Sequence, residues 1–113
     1  MGYDLQGRGG ASFNIAAWSM CLKVATAFGW KPAGTVDPDD CNREWGGAYF
    51  TNDYQRVTDD DARALAAALR QALIALSTKQ ELTKEQANAC DDIHLGVIRK
   101  LADYAEGGGF AIG

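Results

Sequence analysis

"TDDDARALAAALRQALIALS", residues 58–77, decides the helical half of the fold. Thr58 is a good N-cap. Asp59, Asp60 and Asp61 fill a first turn whose free N–H groups and positive dipole end favour anions. Thr58 with Asp61 imitates a capping box, with Asp where Glu or Gln is preferred. Ala62, Leu65, Ala66, Leu69, Leu73 and Leu76 recur at helical spacing and predict a helix over 59–77. Consecutive helical residues point about 100° apart, so three adjacent aspartates cannot converge on one ion. The capping role accounts for all three.

Upstream, "FNIAAWSMCLKVATAF" spans 13–28. One stripe reads Ile15, Trp18, Leu22, Ala25 and a second Ala17, Cys21, Val24, Phe28, so this helix is central and heavily buried. Ser12 or Asn14 can cap it, and Gly29 followed by Pro32 ends it. Downstream, Thr83 with Gln86 forms a capping box. It opens a third helix over 84–106, with Ala87, Cys90, Ile93 or His94, Val97, Leu101 and Tyr104 or Ala105 inward and Gly107 at its end.

Extended structure is sparser. "AYFTNDYQRV" offers two β-prone runs, Tyr49–Thr51 and Tyr54–Val57, around Asn52-Asp53, which predicts a hairpin near 48–57. Tyr3 and Leu5 alternate around Asp4 in a glycine-rich start that permits a short strand. "GGGFAIG" ends in an extended tail that adds a strand to the hairpin or docks on the core. The expected fold is α+β, mostly α: a three-helix core with a small sheet, in one compact domain covering 1–113.

The chain of 113 residues can bury a core without disulfides or metals. Its net charge of −4 is unevenly spread. Residues 36–61 hold eight acids against two bases, a local −6, and the remainder is +2. Such a field repels phosphate backbones, which argues against nucleic acid and favours a basic partner or a cation. No apolar run approaches a membrane span, and no basic and apolar leader is visible. Three cysteines without zinc spacing read as reduced thiols of a cytoplasmic protein.

"TVDPDDCNREWGG", residues 35–47, resembles a metal loop only superficially. Counted from Asp37, the calcium-ligand positions hold Asp, Asp and Cys, the obligatory glycine is Asn42, and the closing acid is Ala48. A solvated turn set by Pro38 or a protein-contact surface fits better. Trp45 should anchor its end against the hairpin, while Asp37, Asp39, Asp40 and Glu44 stay exposed. Trp45, Tyr49, Phe50 and Tyr54 stand beside these acids, and aromatics next to acids suit contact with a cationic protein. Hairpin alternation would turn half of them to the core. Trp18 and Trp30 read as core.

Chemistry is thinly represented. His94 is the single histidine and reads as structural, with Asp91 three residues back as a hydrogen-bond partner. Cys21 and Cys90 fall on apolar faces. Cys41 lies among acids that would raise its pKa and suppress its reactivity. The glycine pairs form neither a dinucleotide fingerprint nor a P-loop.

"MGYDL", "AFGWKPAGT", "WGGAYFTNDYQRVT", "DARALAAAL" and the terminal "GGF" resemble a group of small uncharacterised bacterial and prophage-type proteins. The resemblance spans most of the chain and rests on turns, caps and aromatics. It implies a compact bacterial or phage domain and carries no catalytic residue.

The reading that follows is a small, acidic, non-enzymatic binding protein of inhibitor, phage anti-defence or immunity type. It needs no cofactor or metal and meets a basic protein through Asp37, Asp39, Asp40, Glu44, Trp45, Tyr49 and Tyr54. The alternative is an enzyme or small-ligand domain with a carboxylate- and amide-lined pocket, drawing on Asp4, Asp37, Asp53, Asn14, Asn52 or His94.

Overall fold

The computed structural model describes residues 2–7, 9–37, 49–51, 54–90 and 94–113. Among these described residues four helices, α1 (Ile15–Ala27), α2 (Asp59–Ser77), α3 (Lys84–Ala89) and α4 (Leu95–Glu106), cover a four-stranded antiparallel sheet. Its strands are β1 (Gly2–Gly7), β2 (Gly9–Asn14), β3 (Gln55–Val57) and β4 (Phe110–Ile112), in the order β2-β1-β4-β3. The α+β, mostly α class read from the sequence holds.

The helix ends follow their local chemistry. The Asn14 side chain accepts from Ala17 N at 2.7 Å and starts α1. At its far end Gly29 takes φ 101°, Gly29 N donates to Thr26 O and Trp30 N to Ala25 O. This is a Schellman cap, and it needs a residue that tolerates left-handed backbone. α2 ends the same way through Gln80 N and Ala75 O, but with Lys79 at φ 54°. The Thr83–Gln86 capping box is present in both directions.

Three expectations need correction. The third helix is not continuous: α3 stops after one turn and a half, Cys90 adopts a non-helical cap, and α4 restarts from His94. The acids that follow Cys90 in sequence oppose a helix C-terminus and suit the entry to a new helix. α3 accordingly buries Ala89, while Ala87 is exposed. Residues 49–51 form a bend rather than a strand, so the expected hairpin is not built from them. Instead β3 pairs with β4, Arg56 opposite Ala111, and Val36 bridges to Arg56 on the other side. Of the two readings of the tail, the added strand is the one seen: β4 pairs with β1 on one side and with β3 on the other. Ile15, placed in the buried stripe, is 49% exposed.

One cluster of side chains fills the space between sheet and helices. Trp18 is its centre, fully buried, with Tyr3 and Phe13 ring centroids at 5.8 and 6.1 Å and Phe110 edge-on at 6.5 Å. α1 packs against α2, α3 and α4, which fits its two apolar stripes. On the sheet's edge strand β2, Lys100 donates to Ser12 O at 3.0 Å and lies over the Phe13 ring. A charged group there blunts an edge that would otherwise template pairing. Among the described residues no helix is long and apolar enough to cross a membrane.

Candidate functional site

Tyr49, Phe50 and Thr51 make no strand, yet side chains hold them from every direction. Trp18 Nε1 donates to Tyr49 O at 2.8 Å, Tyr3 OH to Phe50 O at 2.9 Å, and Gln55 Nε2 to Thr51 O at 2.8 Å. The first two donors come from the core and the third from β3. The bend is thus fixed by tertiary hydrogen bonds in place of a ladder.

The fourth anchor is Asp61. Its side chain is 3% exposed and faces inward from the first turn of α2. Oδ2 accepts from Tyr49 OH at 2.6 Å, and Oδ1 accepts from Trp30 Nε1 at 3.0 Å and Ala33 N at 3.3 Å. Tyr49 OH also accepts from Gly34 N at 2.9 Å. The Trp30 and Tyr49 rings meet edge to face with centroids 5.4 Å apart. Burial pushes the Tyr49 phenol upward, the hydrogen bond and negative charge of Asp61 add to this, and the Gly34 N–H partly offsets them.

Capping therefore does not account for all three aspartates. Asp61 N does receive the Thr58 cap, but its carboxylate is a tertiary hub. Asp59 accepts from Gly109 N at 2.7 Å and ties the approach to β4. A buried carboxylate is tolerable here because three donors replace its water.

Trp30, Tyr49 and Phe50 form one end of a groove of 870 Å³ between α1 and α3. Leu22, Ala27, Pro32 and Ala89 continue its apolar lining, and Lys23, Lys84 and Glu85 stand at it. Phe50 is half exposed and packs edge-on to Tyr3, with centroids 6.4 Å apart.

The residues expected at a partner surface separate. Tyr49 and Asp37 are buried, at 6% and 8% exposure, which corrects the reading of Asp37 as an exposed acid. Tyr54 is 54% exposed, on left-handed backbone at φ 61°. Asp39, Asp40, Glu44 and Trp45 lie outside the described residues, as do Cys41, Asn52, Asp53 and Asp91.

Among the described residues of the alternative reading, Asp4, Asn14 and His94 each serve a separate local contact. Asp4 accepts from Ser12 Oγ at 2.7 Å on the exposed face of the β1–β2 pair. Asn14 caps α1, and His94 Nδ1 accepts from Val97 N to cap α4. The groove is lined mainly by apolar side chains, and Glu85 and Asn88 are the carboxylate and the amide among its described lining residues. Cys21 is fully buried, and burial pushes its thiol up to about 12. Cys90 is half-buried and is also shifted up by burial. Among the described residues no three His, Cys, Asp or Glu side chains meet in a way that could hold a metal ion.

No protein-family profile matches the chain, and neither a curated protein nor a solved structure is significantly similar to it.

Proposed function

We propose that the protein is a small, non-enzymatic binding protein that engages a basic protein partner. Its role would be that of an inhibitor, of the anti-defence or immunity type, in a bacterial or phage cytoplasm. The observation that carries this is the pairing of charge with exposed aromatics. The segment 36–61 has a net charge of −6 and also presents Phe50 and Tyr54, each 54% exposed. Asp59 and Asp60 are exposed in the same segment. Acidic surface steers a basic partner, and half-exposed aromatic rings supply contact area at low entropic expense.

Buried Tyr49 and Asp37 would then act as supports of that surface, and contact would fall to Tyr54 and Phe50 with Asp39, Asp40, Glu44 and Trp45. The scattered placement of Asp4, Asn14 and His94 favours binding over catalysis. The free thiols of Cys21 and Cys90 suit a reducing compartment.

The test is affinity capture from host lysate, followed by calorimetry with the purified partner. The expected partner is basic, and its affinity falls for an Asp39→Asn, Asp40→Asn, Glu44→Gln, Tyr54→Ser variant that melts like the parent. A neutral or acidic partner, or undiminished binding by that variant, would remove the reading.

A further inference from the structure

We propose, beyond protein binding, that the groove between α1 and α3 is a site for an anionic amphiphile: a molecule with an apolar body and a single carboxylate. Three properties lead to this.

The first is size and lining. A volume of 870 Å³ falls within the range of about 300–1,000 Å³ typical of small-molecule sites. Its apolar walls include Leu22, Trp30, Tyr49, Phe50 and Ala89, which offer an apolar body three aromatic side chains to pack against.

The second is charge. Lys23 comes from α1 and Lys84 from α3, so the two helices forming the groove each bring one ammonium. Both lysines are exposed, and neither makes an ion pair among the described residues. Glu85 is the one acid among the described lining residues. The described lining is therefore net positive in a chain of net −4. Lysine stems can lie along an apolar wall and leave the ammonium at the mouth, where a carboxylate attached to a buried tail would sit.

The third is preorganisation. Asp61 fixes both Trp30 and Tyr49 through side-chain hydrogen bonds, and Trp18 and Tyr3 fix the backbone of Tyr49 and Phe50. A ligand entering here has few wall residues left to order, which preserves affinity.

The experiment titrates the full chain with dodecanoate and, in parallel, with dodecan-1-ol, read by calorimetry and by tryptophan fluorescence. Dodecanoate is expected to bind one to one and more tightly than the alcohol. The Lys23→Ala, Lys84→Ala double variant should melt like the parent, because both side chains are exposed. It should lose about five- to tenfold in dodecanoate affinity, as two exposed ion pairs allow, and bind the alcohol unchanged. Ser19→Trp, which places an indole in the groove, should abolish both. Equal affinity for acid and alcohol, an unchanged dodecanoate affinity in the double variant, or undiminished binding by Ser19→Trp would each overturn the proposal.

Discussion

The Tyr49 hydroxyl donates to Asp61 Oδ2 at 2.6 Å in the interior, joining a bend that has no strand partner to the first turn of α2. Neither group can be removed without stranding others. Tyr49→Phe leaves Gly34 N and one carboxylate oxygen without this partner. Asp61→Asn turns an acceptor toward Tyr49 into a donor. Each change is expected to lower stability by about 1.5–3 kcal/mol, the range for hydrogen bonds to a charged group. The double variant should fall short of the sum by about 1 kcal/mol or more. Urea denaturation of the four proteins checks this, and strict additivity would mean that the pair is not coupled.

Two backbone positions separate in sign. A Cβ on Gly109 would lie 2.5 Å from Val57 O and 3.0 Å from Asp59 Oδ1. Gly109→Ala should therefore destabilise by about 2 kcal/mol or more, since backbone must shift to admit it. Lys79 holds left-handed backbone at the end of α2, so Lys79→Gly should stabilise by about 0.5–1 kcal/mol. Thermal melts of the two variants should move in opposite directions.

Alkaline stability follows from two buried acids that are held neutral. Burial raises Cys21 from 9.0 to about 12, and Tyr49 is raised above its ordinary 10.0. A group whose folded pKa lies above its unfolded value lends stability that is complete below the unfolded pKa. That stability is lost as pH climbs through the folded pKa, because the unfolded chain releases the proton first. Urea midpoints should therefore be flat from about pH 7 to about pH 9 on account of these groups, then fall up to about pH 12. In Tyr49→Phe the fall above about pH 10 should be shallower.

Arg70 offers a contrast. It reaches Asp103 at 2.6 Å and Glu106 as well, joining α2 to α4. The two carboxylates raise the guanidinium's pKa, with Glu106 the larger cause. Asp103 and Glu106 are well exposed and Arg70 is more than a third exposed, so solvent screens the pairs. Arg70→Ala should lower stability by no more than about 1 kcal/mol, and less in high salt, as melts in both conditions would show.

The legible parts of this fold are those decided locally. α2 runs over Asp59–Ser77 as its cap and stripe predict, and Gly29 ends the α1 segment as a C′ glycine should. The illegible parts are decided by partners distant in sequence. β2, "GGASFN", has little β propensity of its own and exists because β1 pairs with it residue for residue from Gly2 and Asn14 to Gly7 and Gly9. Tyr49–Thr51 looks like a strand by composition, but Trp18, Tyr3 and Gln55 claim its carbonyls. Asp61 was hidden by its neighbours: three aspartates in a first turn look like capping, and only the approach of Trp30 and Tyr49 separates one of them. The break after Cys90 had a signal in the two acids that follow it. The groove had none, because α1 and α3 come together only through the tertiary fold.

An acidic surface with exposed aromatics that binds a basic protein does so through an attraction that salt screens. The most direct measurement is the dissociation constant of the purified partner at about 50 mM and about 300 mM NaCl, which span a wide range of screening. Binding should be at least about tenfold weaker at the higher salt, mainly through slower association, as expected for electrostatic steering. A dissociation constant that does not change with salt would contradict it.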